Sequence, residues 1–125
     1  MIDIKCLDTS AWLAYYFAEF DEIKKIIEGE NILLSSSLSL FEIKKKLLSL
    51  KKDPEPLLQF IKERSEIIEP NIEIVERTAE IAIQEKLAAM DALIYTTAIQ
   101  HNAQLITADS DFKHCTNVIL LSSKP

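Results

Sequence analysis

Four carboxylates in this chain, Asp8, Glu42, Asp91 and Asp109, each fall where a strand is expected to end or a helix to begin. Carboxylates gathered at one place repel and raise one another's pKa. A hard divalent cation removes that penalty, and Mg²⁺ and Mn²⁺ both prefer oxygen ligands. An ion held in this way can activate water and stabilise charge on a phosphodiester in flight. Each acid also has a purely structural explanation. Asp8 precedes Thr9-Ser10 and fits a helix cap. Ser39-Leu40-Phe41-Glu42 reads as a Ser-x-x-Glu capping box, which accounts for Glu42 without chemistry. Asp91 fits an N-cap or first-turn acid, and Asp109-Ser110-Asp111 fits a short capped turn.

The elements that must position these acids alternate between helix and strand. A short apolar run at 4–7 predicts a buried strand, followed by a helix from about Ser10 in which Trp12, Leu13, Tyr16 and Phe17 recur at helical spacing. A second helix is expected over 20–27, ended by Gly29 in the left-handed manner common for glycine. A strand follows at 32–34, and Ser35-Ser36-Ser37 reads as a polar break. Further helices are expected at 39–50, from Pro54 and Pro56 to about Arg64, from a cap at Asn71 to about Ala88, and at 90–101, with Asn102 as a left-handed terminator. Short strands are expected at 67–68, 105–107 and 118–121. Alternating helices and β-branched strands predict an α/β fold on a buried parallel sheet, read as one domain over 1–125. In such a sheet ligands bind beyond the strands' carboxyl ends, where Asp8 and Asp109 lie. Helix N-termini near the same face bring Glu42 and Asp91 towards them.

Composition narrows the classes. The chain has 125 residues, 48% hydrophobic and 27% charged. No apolar run approaches the roughly 18 residues needed for a membrane span. Met1-Ile2-Asp3-Ile4-Lys5 has no basic leader pattern, so the cytoplasm is the expected location. The net charge of −6 argues against passive binding to nucleic acid but not against an enzyme that brings cations to an acidic site. With Gly29 as the one glycine there is no phosphate-cradling loop. With His101 and His114 as the two histidines there is no His-rich zinc site. Cys6 and Cys115 form no metal-ligand pattern, and reduced structural cysteines are the expectation, with a disulfide as the alternative. A receiver or a dehalogenase-like phosphatase also places acids at strand ends. However, Asp3 is at the wrong end to pair with Asp8, Lys113 follows no strand directly, and Asp8-Thr9-Ser10 lacks the second acid of Asp-x-Asp.

Four segments together resemble the PIN domain, and within it the VapC-like toxins of toxin–antitoxin pairs. These are Cys6-Leu7-Asp8-Thr9-Ser10-Ala11, Ser39-Leu40-Phe41-Glu42-Ile43, Asp91-Ala92-Leu93-Ile94-Tyr95 and Leu105-Ile106-Thr107-Ala108-Asp109-Ser110-Asp111-Phe112. The resemblance implies a three-layer sandwich about a parallel five-stranded sheet, Mg²⁺ or Mn²⁺ as cofactor, and hydrolysis of RNA by an endoribonuclease. It further implies a homodimer and a small inhibitory antitoxin. On this chain Asp8, Asp91 and Asp109 would be metal ligands and Glu42 would complete the site, helping to orient or deprotonate water. Asp111 would serve a second ion, and Thr9 and Thr107 would hold carboxylates in place. Ala108 stands where the family often has Arg, and Asn102-Ala103 where it often has Gly. Lys45 and Lys46 share a helix face with Glu42 and are candidate RNA contacts, the alternative being a solvated face. Trp12, Tyr15, Tyr16 and Phe17 are either core or a dimer or antitoxin surface. A catalytically silent PIN-like binding module, its acids serving only as caps, is the alternative function.

Overall fold

The computed structural model describes residues 3–122. Met1 and Ile2, part of the segment read for a leader, lie outside the described residues. The elements run β1 (Ile4–Leu7), α1 (Thr9–Tyr16), α2 (Asp21–Glu28), β2 (Ile32–Ser36), α3 (Ser37–Ser49), α4 (Glu55–Arg64), β3 (Glu66–Ile68), α5 (Ile72–Glu85), α6 (Ala89–Gln100), β4 (Gln104–Thr107), a 3₁₀ turn (Ser110–Phe112) and β5 (Val118–Leu120). The five strands form one sheet in the order β3-β2-β1-β4-β5, every pairing parallel. Leu7 is in register with both Ser35 and Ile106, so β1 is the central strand and its carboxyl end lies beside that of β4. This register sets Asp8 beside the end of β4, its N–H donating to the Ile106 carbonyl at 3.1 Å.

Alternation along the strands sends side chains to two cores. Leu7, Leu33 and Ile106 join Trp12, Ile23, Ile27, Ile43, Leu47 and Ile61 from α1 to α4. Cys6, Leu34 and Leu105 join Ile81, Ile94, Tyr95 and Ala98 from α5 and α6. The result is three layers, with helices on both faces of the sheet. Trp12 is fully buried, while Tyr15 stacks on Phe60 and Tyr16 and Phe17 remain exposed, which divides the aromatic run between core and surface. No helix among the described residues is long and apolar enough to cross a membrane.

Several boundaries depart from the sequence reading. Strand β2 continues through Ser35 and Ser36, both fully buried. They are no polar break, because Ser35 Oγ accepts from Trp12 Nε1 at 2.9 Å and shares a 2.8 Å hydrogen bond with Ser65 Oγ. Helix α3 therefore starts earlier than expected, with Ser36 as its N-cap accepting from Leu38 N. The Ser39–Glu42 capping box does not form: Ser39 lies inside the helix, its Oγ buried with no hydrogen-bond partner among the described residues. Gly29 ends α2 in an extended conformation (φ −85°, ψ −163°), not a left-handed one. Glycine is favoured there because a Cβ would meet the Lys25 carbonyl oxygen at 2.8 Å. Helix α5 stops at Glu85, on a left-handed Lys86, before the expected end near Ala88. Asn71 caps α5 and Asn102 takes the left-handed conformation, both as expected.

Candidate metal centre

Asp8 immediately follows β1 and is the N-cap of α1, its Oδ1 accepting from Ala11 N at 2.8 Å. Ser10 Oγ also donates to Oδ1, at 2.7 Å, and Thr107 Oγ1 donates to Oδ2, at 2.5 Å. The carboxylate is only 4% exposed. Burial pushes its pKa up to about 6; the hydrogen bonds from Thr107, Ser10 and Ala11 oppose the rise, and the nearby charge of Asp91 adds to it. The capping explanation is thus correct but incomplete. A cap needs one carboxylate oxygen at a helix end, not a carboxylate buried and held by two hydroxyls.

Asp91 is the third residue of α6 and the acid of its first turn, not its N-cap, which is Ala88. Its pKa is also raised to about 6, by burial first and then by the charges of Asp109, Glu42 and Asp111. One carboxylate oxygen from each of Asp91, Asp109 and Asp111 lies within 4.8 Å of the others. Asp109 caps the 3₁₀ turn through Asp111 N, and its own N–H donates to Thr107 Oγ1 at 3.0 Å.

Glu42 reaches the site from the second turn of α3, where Thr9 Oγ1 donates to its Oε1 at 2.6 Å. Asp8, Glu42, Asp91 and Asp109 line one cavity of about 220 Å³, together with Thr9 and Ser10. Asp111 and Asp91 line an adjoining cavity. All four acids singled out in the sequence, and Asp111 with them, therefore converge. Thr9 donates to the Glu42 carboxylate and Thr107 to that of Asp8. Ser10 was not singled out. Its Oγ donates to Asp8, accepts from Ala108 N at 2.8 Å and lies 3.1 Å from Thr107 Oγ1, tying the ends of β1 and β4 together. The hydroxyl two residues after Asp8 was the available signal, but its reach to β4 depends on which strands are neighbours.

An oxygen-only donor set, in which burial first and neighbouring carboxylates second lift two pKa values, fits a hard divalent cation. Lys45 and Lys46 are exposed on α3 and line a separate cavity of about 410 Å³ with Phe41, Glu42 and Met90. Both cysteines are free and buried, as the reduced reading expected.

The sequence profile of the PIN domain matches residues 5–117. No functionally curated protein matches the sequence. Among solved structures, the chain is similar to a toxin–antitoxin complex from Klebsiella pneumoniae, with a TM-score of 0.79 at 23% identity over 95% of this chain and 98% of that one. It is also similar to VapBC2 from Rickettsia felis, bound to a DNA fragment from its promoter, with a TM-score of 0.76 at 26% identity over 98% and 99% of the two chains. VapC20 from Mycobacterium tuberculosis, a toxin that cleaves the sarcin–ricin loop, shares the fold with a TM-score of 0.75 at 15% identity over 94% and 99%. With residues 5–117 matching the family profile, a β3-β2-β1-β4-β5 parallel sheet and acids at its carboxyl edge, this chain belongs to the PIN-domain family.

Proposed function

We propose that the protein is a metal-dependent endoribonuclease, hydrolysing RNA phosphodiester bonds with Mg²⁺ or Mn²⁺, and that it is the cytoplasmic toxin of a toxin–antitoxin pair. The observation that carries this reading is the convergence of Asp8, Glu42, Asp91 and Asp109 on one cavity, with Asp111 beside Asp91 and Asp109. Asp8, Asp91 and Asp109 would hold the ion, with Asp111 available to a second. When bound, the ion supplies charge stabilisation at the scissile phosphate and a more acidic water. Asp8 is kept in one orientation by Ser10, Thr107 and Ala11 N. Glu42, to which Thr9 donates a hydrogen bond, would accept a proton from water entering the cavity.

An RNA strand meets a protein of net charge −6, so the local distribution of charge matters more than the sum. Lys45 and Lys46, beside Phe41 and sharing a cavity with Glu42, supply a basic approach to the acids. The partners proposed by kinship are a second copy of the chain and a small antitoxin. A cleft of about 380 Å³ lined by Tyr15, Phe20 and Ile23 with Asp21, Lys24 and Glu28 at its charged side would suit an amphipathic helix of such a partner.

The test is cleavage of mixed single-stranded and structured RNA in Mg²⁺, Mn²⁺ or EDTA, with an identically purified Asp8→Asn variant alongside. Metal-dependent cleavage by the wild type alone is expected. Equal cleavage in both preparations would reject this site. Failure of the wild type to cleave, together with failure to bind Mn²⁺, would favour the silent binding module.

A further inference from the structure

Glu85, His114 and Cys115 come together outside the acidic centre. One ligand atom from each lies within 4.8 Å of the others. Glu85 is the last residue of α5, and His114-Cys115 follow the 3₁₀ turn that carries Asp111, so the cluster joins two segments distant in sequence. The Cys115 sulfur lies 3.7 Å from His114 Nε2. In a tetrahedral zinc site with Zn–S near 2.3 Å and Zn–N near 2.0–2.1 Å, the sulfur–nitrogen edge is about 3.6 Å. Cys115 is buried, Glu85 half-buried and His114 exposed, giving a closed floor and an open rim. Burial, then the charge of Glu85 and a hydrogen bond to it, push the thiol up to about 11, so the free thiol is protonated and faces the carboxylate. Nothing in the proposed nuclease chemistry uses these three groups.

We propose that Glu85, His114 and Cys115 form a second cation site, selective for Zn²⁺ or another borderline-soft divalent ion, with water as the fourth ligand. The donor sets sort the ions: oxygen alone at the aspartates suits Mg²⁺ and Mn²⁺, whereas nitrogen, sulfur and oxygen together suit Zn²⁺. Binding displaces the Cys115 proton to solvent and forms the metal–sulfur bond. The imidazole gives up its 2.6 Å hydrogen bond to the Glu85 carbonyl and changes tautomer, the proton leaving Nε2 for solvent as Nδ1 takes one up, so that the Nε2 lone pair is free for the ion. A cavity of about 330 Å³ lined by His114, Lys86, Asp91 and Asp111 separates the two sites. The ion would pin the segment after the 3₁₀ turn to the end of α5, fixing the side of the acidic centre from which Asp111 projects.

Co²⁺ titration followed by absorption tests this without any nuclease assay. Thiolate bound to Co²⁺ gives a near-ultraviolet charge-transfer band, and oxygen-only aspartate ligation does not. The wild type is expected to develop the band to saturation. It should persist in Asp91→Asn and Cys6→Ser and vanish in Cys115→Ser. In His114→Ala, a change at an exposed position that leaves the core untouched, affinity should weaken more than about tenfold. Zn²⁺ should displace the band. The proposal is overturned if the wild type shows no band, if the band survives in Cys115→Ser, or if His114→Ala binds Co²⁺ as tightly as the wild type.

Discussion

At the scale of single residues, Asp8 shows what the centre costs when no cation balances it. Its pKa rises from 3.8 to about 6 on folding, chiefly through burial. The folded state therefore favours the protonated form. The contribution to stability is fully present below the unfolded pKa and is lost as pH rises through about 6. Keeping Asp8 ionised at neutral pH costs the metal-free protein roughly 3 kcal/mol. Asn keeps an oxygen for the Ala11 N–H and removes the charge. Asp8→Asn is therefore expected to raise the melting temperature of metal-free protein by several degrees at pH 7.5 and by about half as much at pH 5, where the unfolded carboxyl is already ionised. Scanning calorimetry in EDTA checks it, and a destabilised variant at pH 7.5 would show that the hydrogen bonds to the ionised form outweigh its burial. The acids were legible only as a set: each alone fits a helix cap or a turn, but with their flanking residues they make four segments that resemble one family. Ser10 was not legible, since its bond to the Ala108 N–H crosses between strands far apart in sequence.

At the scale of elements, helix α3 separates local signals from tertiary ones. A run of serines offers several possible caps, and the Ser39–Glu42 spacing matches a capping box. Pairing of Ser36 with Ile68 on β3, and the buried bonds of Ser35, instead draw the strand further and move the cap to Ser36. Glu42 is thereby freed from capping and taken up by Thr9. Ser36→Ala should cost about 1 kcal/mol, the usual value of a lost cap. Ser39→Ala should be close to neutral, because its hydroxyl has no partner to lose. Urea denaturation of both variants decides between the two caps; a larger loss at Ser39 would restore the capping box. Periodicity located every helix and strand core, but the ends of β2, α3 and α5 depended on strand pairing and on a left-handed Lys86. Gly29 likewise ends α2 for want of space near Lys25, which no local pattern reveals.

At the scale of the whole molecule, the parallel sheet places the carboxyl ends of β1 and β4 side by side and sets α3 and α6 around them. Strand order is a long-range property, and it alone turns four scattered acids into one centre. The centre also ties stability to pH and metal together. Asp8 and Asp91, both raised to about 6, make the metal-free fold less stable as pH climbs from 5 to 7.5. If Mn²⁺ binds the ionised carboxylates of the folded state, as proposed, its stabilisation should be larger at pH 7.5 than at pH 5. Thermal melts with and without Mn²⁺ at the two pH values check this, and an equal or reversed increment would separate the two effects. The central claim, that these carboxylates are a cation site and not merely a set of caps, is tested most directly by titrating Mn²⁺ into the metal-free protein by calorimetry at pH 7.5. Saturable binding by the wild type, weakened at least about tenfold in Asp91→Asn and Asp109→Asn, is the predicted result. No heat of binding by the wild type, or the same affinity in all three proteins, would contradict it.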